Sequence, residues 1–136
     1  MRGWEYKLRD YERALATLRE LRDRPCYRFS DLEIAGAIQR FRYTQELAWK
    51  VLQAFMRDRG VDDRLFGSRD TIDAASGVGL IAEPGVFHDM DDKRNLSSHS
   101  YNQDVAHEIF DAIVPRFLPT LEAVAETLRD KRSDPT

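Results

Sequence analysis

Apolar residues recur at three- and four-residue steps along almost the whole chain, and no stretch alternates strictly for long enough to make a half-buried strand. That periodicity predicts an all-α fold. Leu8, Tyr11, Leu15, Leu18 and Leu21 form a first apolar stripe, which Pro25 is expected to end. Ser30 and Glu33 make a Ser-x-x-Glu capping box, in which each side chain satisfies a free backbone N–H at the head of a long second helix. Its stripe reads Ile34, Ile38, Phe41, Ala48, Leu52 and Phe55, widened by Ala37 and Val51, and Gly60 is its left-handed stop. Thr44 and Gln45 fall in or beside that stripe, where apolar residues belong, and so mark a polar interface or a local site.

Beyond a connection marked by Asp62, Asp63, Gly67 and Ser68, the trio Ile72, Ala75 and Val78 predicts a short third helix ending in Gly77 and Gly79. Pro84 suits the first turn of a fourth helix with Phe87, Met90 and Arg94 on one side. The last helix opens with Asn102 as N-cap and runs through Ala106, Ile109, Ile113, Phe117, Leu121, Val124 and Leu128. Pro115 and Pro119 predict a bend within it and not a break, because the apolar spacing continues beyond both. Together these elements predict an up-and-down four-helix bundle with an additional short helix. It forms one domain over residues 1–136, with a frayed polar tail from Asp130.

Composition narrows the class. A chain of 136 residues that is 42% hydrophobic can bury one core, and 7 Gly, 5 Pro and a single cysteine exclude collagen-like and disulfide-stapled designs. Cys26 cannot form an intramolecular bridge, which fits a reducing, cytoplasmic setting, and its surroundings give it no obvious activation. No window reaches the roughly 18 uninterrupted apolar residues of a spanning helix, and Met1-Arg2-Gly3-Trp4-Glu5 leads into charge instead of a signal-peptide stretch. The expectation is a soluble, unexported protein without membrane contact.

The net charge is −3, so a broad duplex-coating basic face is excluded and any nucleic-acid contact has to be local. Lys7, Lys50, Lys93 and Lys131 are the only lysines, the other 17 of the 21 basic residues being Arg. Arg offers a planar fork for phosphate, although a genome rich in G and C gives the same bias.

The densest chemistry lies in Arg94-Asn95-Leu96-Ser97-Ser98-His99-Ser100-Tyr101. On an unbroken helix, at roughly 100° per residue, positions 94 and 99 lie about 140° apart. A joint action therefore needs a helix end between them, or two chains. Asn95 and His99 are four apart, so the amide can orient the imidazole if the helix reaches that far. An Arg with a His suits a phosphodiester, since His moves a proton near neutral pH and Arg stabilises charge on phosphorus oxygens. With RNA the 2′-hydroxyl is already the nucleophile, and no metal or cofactor is needed. The same two residues also fit ordinary helix-end charges, and the spacing alone leaves both readings open.

Other clusters point less far. His88 with Asp89, Asp91 and Asp92 reads as a solvated acidic face and not as a metal site, and His107 as a surface or packing residue. Gly77-Val78-Gly79 lacks the third glycine and the preceding strand of a phosphate loop.

The run Gly36-Ala37-Ile38-Gln39-Arg40-Phe41, then Thr44, Glu46-Leu47-Ala48-Trp49-Lys50, Gly79-Leu80-Ile81, Arg94-Asn95 and Ser98-His99-Ser100-Tyr101 resembles the nucleotidyltransferase substrate-binding-protein family of the HEPN superfamily. The resemblance extends from about Tyr11 to Leu128, and the family's Arg, four residues, His, any residue, Tyr motif falls on Arg94, His99 and Tyr101. It implies a HepT-like toxin: a metal-independent endoribonuclease acting as a homodimer on an RNA substrate. The resemblance further implies a cognate minimal nucleotidyltransferase antitoxin that transfers AMP from ATP to Tyr101 and so silences the nuclease. Arg94, His99 and Asn95 are then the catalytic candidates, and Ser97, Ser98 and Ser100 candidate binding hydroxyls. The alternative is a non-catalytic nucleotide- or substrate-binding subunit of a two-component nucleotidyltransferase. Three residues depart from the family pattern: Arg42 replaces an acidic or neutral residue, Gln45 an aromatic one and Phe87 a Trp. Glu46, Trp49 and Lys50 match the pattern with their role open; a packed Trp49 and a surface i,i+4 pair of Glu46 with Lys50 explain them without function.

Overall fold

The structure, a computed structural model, describes residues 1–24, 29–61, 65–99 and 102–132, with residue 99 described by its backbone only. The described residues are helical with no strand: α1 (Gly3–Arg22), α2 (Asp31–Asp58), α3 (Ser68–Gly77), α4 (Pro84–His99), α5 (Gln103–Ala112) and, after a π-helical turn at Ile113–Phe117, α6 (Leu118–Arg132). α1 packs on α2, α2 on α3 and α3 on α4, α5 runs on through the π turn into α6, and α6 packs back on α1, closing the bundle. Among the described residues, no helix is long and apolar enough to cross a membrane. The readings of Pro25, Cys26, Asp62 and Asp63 lie outside the described residues.

The predicted caps are present. Ser30 Oγ accepts from the Glu33 N–H at 3.1 Å while Glu33 accepts from the Ser30 N–H at 3.0 Å, and Asn102 Oδ1 accepts from the Val105 N–H at 2.9 Å. Gly60 and Gly79 take positive φ, +77° and +80°, where a β-carbon would be strained. Val78 falls past the end of α3 and is exposed, so it is not part of that helix's buried stripe; Thr71 joins Ile72 and Ala75 there instead. Helix α6 continues two residues past Asp130, the predicted start of the tail.

All five predicted apolar residues of α1 and all eight of α2 are buried. Phe41 stacks on Phe117 at 5.1 Å and Trp4 meets Phe55 edge-on at 4.9 Å. Tyr11, fully buried, donates its hydroxyl to the Leu121 carbonyl at 2.6 Å, and burial pushes its phenol well above the ordinary range.

The form of the predicted bend has a physical cause. Ile109, Ile113, Phe117 and Leu121 are all buried and step by four, and each such step overshoots a full α-turn by about 40°. Three steps in a pure α-helix would carry Leu121 out of the core. The wider π turn, in which the Leu118 N–H reaches back to the Ile113 carbonyl, absorbs that drift and accommodates Pro115.

Candidate functional site

The polar interruption in α2 is the base from which the site is built. Thr44, fully buried, satisfies itself by donating to the Arg40 carbonyl at 2.7 Å. Gln45, 1% exposed, donates from Nε2 to Asp91 Oδ1 at 2.5 Å, and Ser68 Oγ donates to the same oxygen at 2.9 Å. One buried carboxylate therefore ties α2, α3 and α4 together. This corrects the solvated acidic face: Asp91 is buried, Asp89 is ion-paired with Arg116 and Lys93, and His88 meets Asp73 at 2.8 Å. Only Asp92 of that group stands exposed, 3.7 Å from Arg69. Among the described residues, no group of three or more His, Cys, Asp and Glu side chains is placed to hold a metal. His107 is exposed on α5.

One position further along α2 and one turn further along α4, Glu46 and Arg94 form an ion pair, Oε2 to Nη1 at 2.7 Å. Glu46 is also held by Lys50 at 3.2 Å and by the Trp49 indole N–H at 3.2 Å. Partial burial raises the Glu46 carboxyl, but the bonds from Lys50 and Trp49 and the charges of Arg94 and Lys50 outweigh it, leaving it below the ordinary range. The i,i+4 pair and the packed indole are both present, and Arg94 adds a third cationic or N–H partner that sequence spacing could not reveal.

The seam continues with Arg42, whose Nη2 donates to Ser98 Oγ at 2.9 Å, while Ser98 and Ser97 donate back to the Arg94 carbonyl at 3.3 and 2.7 Å. Ser97 is buried, and its hydroxyl is thus committed to its own helix; Ser98 and Asn95 are exposed. Position 99 is the last of α4, and Asn102 caps α5 immediately beyond, as the cap signal implied. Ser100 and Tyr101 lie outside the described residues. Because α4 is continuous from Arg94 to position 99, no helix end separates them, and they stand about 140° apart around one axis. Asn95 and position 99 share a face of it.

The buried role of Asp91 had a signal in the sequence. It lies four residues after Phe87 and three before Arg94, on the side of α4 that Phe87 and Met90 carry into the core. Of the three departures, Phe87 is simply core, Gln45 serves the buried carboxylate and Arg42 serves Ser98.

The family model for proteins like the nucleotidyltransferase substrate binding protein matches residues 6–130. The chain belongs to the nucleotidyltransferase substrate-binding-protein family. This family member is 31% identical over 104 residues to a Haemophilus influenzae protein named probable ribonuclease HepT, the match covering 74% of this chain and 70% of that one. A crystal structure of a Thermus thermophilus protein superposes with a TM-score of 0.78 at 38% identity, covering 88% of this chain and 98% of that one. HI0074 of Haemophilus influenzae, described as having the fold of a substrate binding domain of a nucleotidyltransferase, superposes with a TM-score of 0.65 at 26% identity. It covers 93% of this chain and 96% of that one. The bundle of this family member is therefore one already seen in solved relatives.

Proposed function

We propose that this chain is a HEPN-type toxin, a metal-independent endoribonuclease governed by a partner nucleotidyltransferase. The observation that carries this is the sequence run Arg94, four residues, His99, one residue, Tyr101, whose first two members fall in α4, in a chain related to a protein named probable ribonuclease HepT. His99 removes the proton of the RNA 2′-hydroxyl as it attacks phosphorus, and a proton is returned to the departing 5′-oxygen. Arg94 holds the phosphate and stabilises the charge that accumulates on its oxygens. Asn95, on the face of position 99, orients the imidazole.

Because α4 runs unbroken between the two positions, the reading takes two copies, with Arg94 of one acting with His99 of the other in a two-fold cleft. Transfer of AMP from ATP to the Tyr101 phenol, with release of pyrophosphate, places a negative phosphate and a bulky adenosine at the cleft and opposes RNA by charge and volume.

His99→Ala abolishes RNA cleavage with the helical circular dichroism intact, and wild-type cleavage persists in chelator. Mixing inactive Arg94→Ala and His99→Ala chains restores about a quarter of wild-type activity, since half of the dimers are mixed and each holds one complete site. Cleavage by His99→Ala sinks the assignment; a silent mixture sinks the shared cleft.

The description of HI0074 favours a second reading, a non-catalytic subunit presenting substrate to a nucleotidyltransferase. Purified wild-type protein that binds nucleotide and leaves RNA uncut selects it.

A further inference from the structure

The seam between α2 and α4 carries more positive charge than a phosphate at Arg94 requires. Arg42, Arg94 and Lys50 line it with Glu46 as the half-buried carboxylate among them, and Asp91 lies buried below, bonded to Gln45 and Ser68. In a chain of net charge −3 this is a local concentration of cations. Glu46 is shared by Arg94 and Lys50, whereas Arg42 has no carboxylate within ion-pair distance among the described residues. Its guanidinium rests instead on the hydroxyl of Ser98, and Ser98 is bonded to the carbonyl of Arg94. Two guanidinium-bearing residues are thus tied to a single turn of α4. Beside Arg42, Tyr43 stands 55% exposed, an aromatic ring with no core to pack against.

The geometry points to a second nucleotide subsite at Arg42 and Tyr43, where Arg42 holds a phosphate neighbouring the one at Arg94 and Tyr43 stacks on the base between them. The inference rests on the ribonuclease reading and extends it to how the strand lies: along the α2–α4 seam, single-stranded, since stacking on an exposed ring needs an unpaired base. Neither residue touches the reacting atoms. Arg42 occupies a position where the family pattern has an acidic or neutral residue, so the subsite is a property of this chain and sets its grip on the strand beside the cut.

The test uses a short fluorescein-labelled single-stranded RNA with 2′-O-methyl sugars, which lacks the nucleophile and so reports binding alone. Anisotropy titrations over a series of salt concentrations give the slope of log K against log salt. Arg42→Ala lowers the magnitude of that slope by about 0.7, the single-strand value for one phosphate contact, and Arg42→Lys keeps it. Tyr43→Leu weakens binding about fivefold or more with the slope unchanged. Arg13→Ala, on the exposed face of α1, is the control for charge alone and moves neither quantity. If Arg42→Ala keeps the wild-type slope and affinity while wild-type protein cuts RNA and His99→Ala does not, the subsite is wrong and the ribonuclease reading stands. If Arg42→Ala instead shifts the oligomeric state in sedimentation and leaves the slope alone, the seam is a contact between copies and the subsite is refuted. Wild-type protein that neither binds the probe nor cuts RNA removes both.

Discussion

Gln45→Leu isolates what the buried junction contributes. The substitution keeps roughly the volume and removes the Nε2 donor that lies 2.5 Å from Asp91 Oδ1, leaving Ser68 as the carboxylate's side-chain donor. A hydrogen bond to a charged group is worth about 1.5–3 kcal/mol, and a buried carboxylate short of a donor is costly to keep, so the variant loses about 2–3 kcal/mol. With a urea m-value of about 2 kcal/mol/M, the unfolding midpoint falls by about 1 M. Asp91→Leu strands the Gln45 amide and the Ser68 hydroxyl and costs a similar amount. The double variant Gln45→Leu/Asp91→Leu strands only the hydroxyl and is more stable than the sum of the singles by about 2 kcal/mol. Urea titrations followed by circular dichroism on all four proteins give this coupling directly. Additive losses refute the reasoning, because the two groups would then not depend on each other.

Glu46→Gln destabilises the protein at neutral pH by about 0.5–1 kcal/mol, a figure reduced for the solvent that reaches this partly exposed ion pair. The folded-state pKa of Glu46 lies below its unfolded value, so this stability is full above the ordinary glutamate range near pH 4.3 and lost as pH falls through the lower, folded value. Urea midpoints of wild type and variant should converge in acid; a difference that stays constant down through that range contradicts the assignment. Asn102→Ala removes the cap of α5 at the cost of about 1 kcal/mol, and amide exchange speeds up in the first turn of that helix, most of all at Val105. Unchanged exchange there means the cap contributes nothing.

The parts of the fold that were legible are those decided within a turn or two of chain. The capping box at Ser30 and Glu33, the N-cap at Asn102 and the stop at Gly60 depend on neighbours three or four residues away, and the apolar stripes depend only on helical period. The contacts that shape the site span 46 residues from Gln45 to Asp91 and 56 from Arg42 to Ser98, and no local rule reaches that far. Gln45 announced itself as polar in an apolar stripe, but its partner was hidden because Asp91 sits between two other aspartate-bearing positions, Asp89 and Asp92, that do face outward or pair at the surface. Val78 misled for the opposite reason: its spacing was right, but the chain had already left the helix at Gly77.

The continuity of α4 bears on either functional reading. Arg94 stands on the α2 seam, ion-paired to Glu46, and position 99 lies about 140° around the same helix at its last residue. A ligand small enough to sit at Arg94 does not span that angle on one chain, so any chemistry that needs both residues requires either a long ligand wrapped over the end of α4 or a second α4 facing the first. A long ligand alone would bring different phosphates to the two residues and leave the scissile one without its stabilising charge. In the proposed two-copy arrangement a second α4 would bring both to one phosphate, and the symmetry would put an Arg42 from each copy near the cleft. The cation excess of the seam would then double where the proposed RNA enters, which is how a chain of net charge −3 would admit a polyanion.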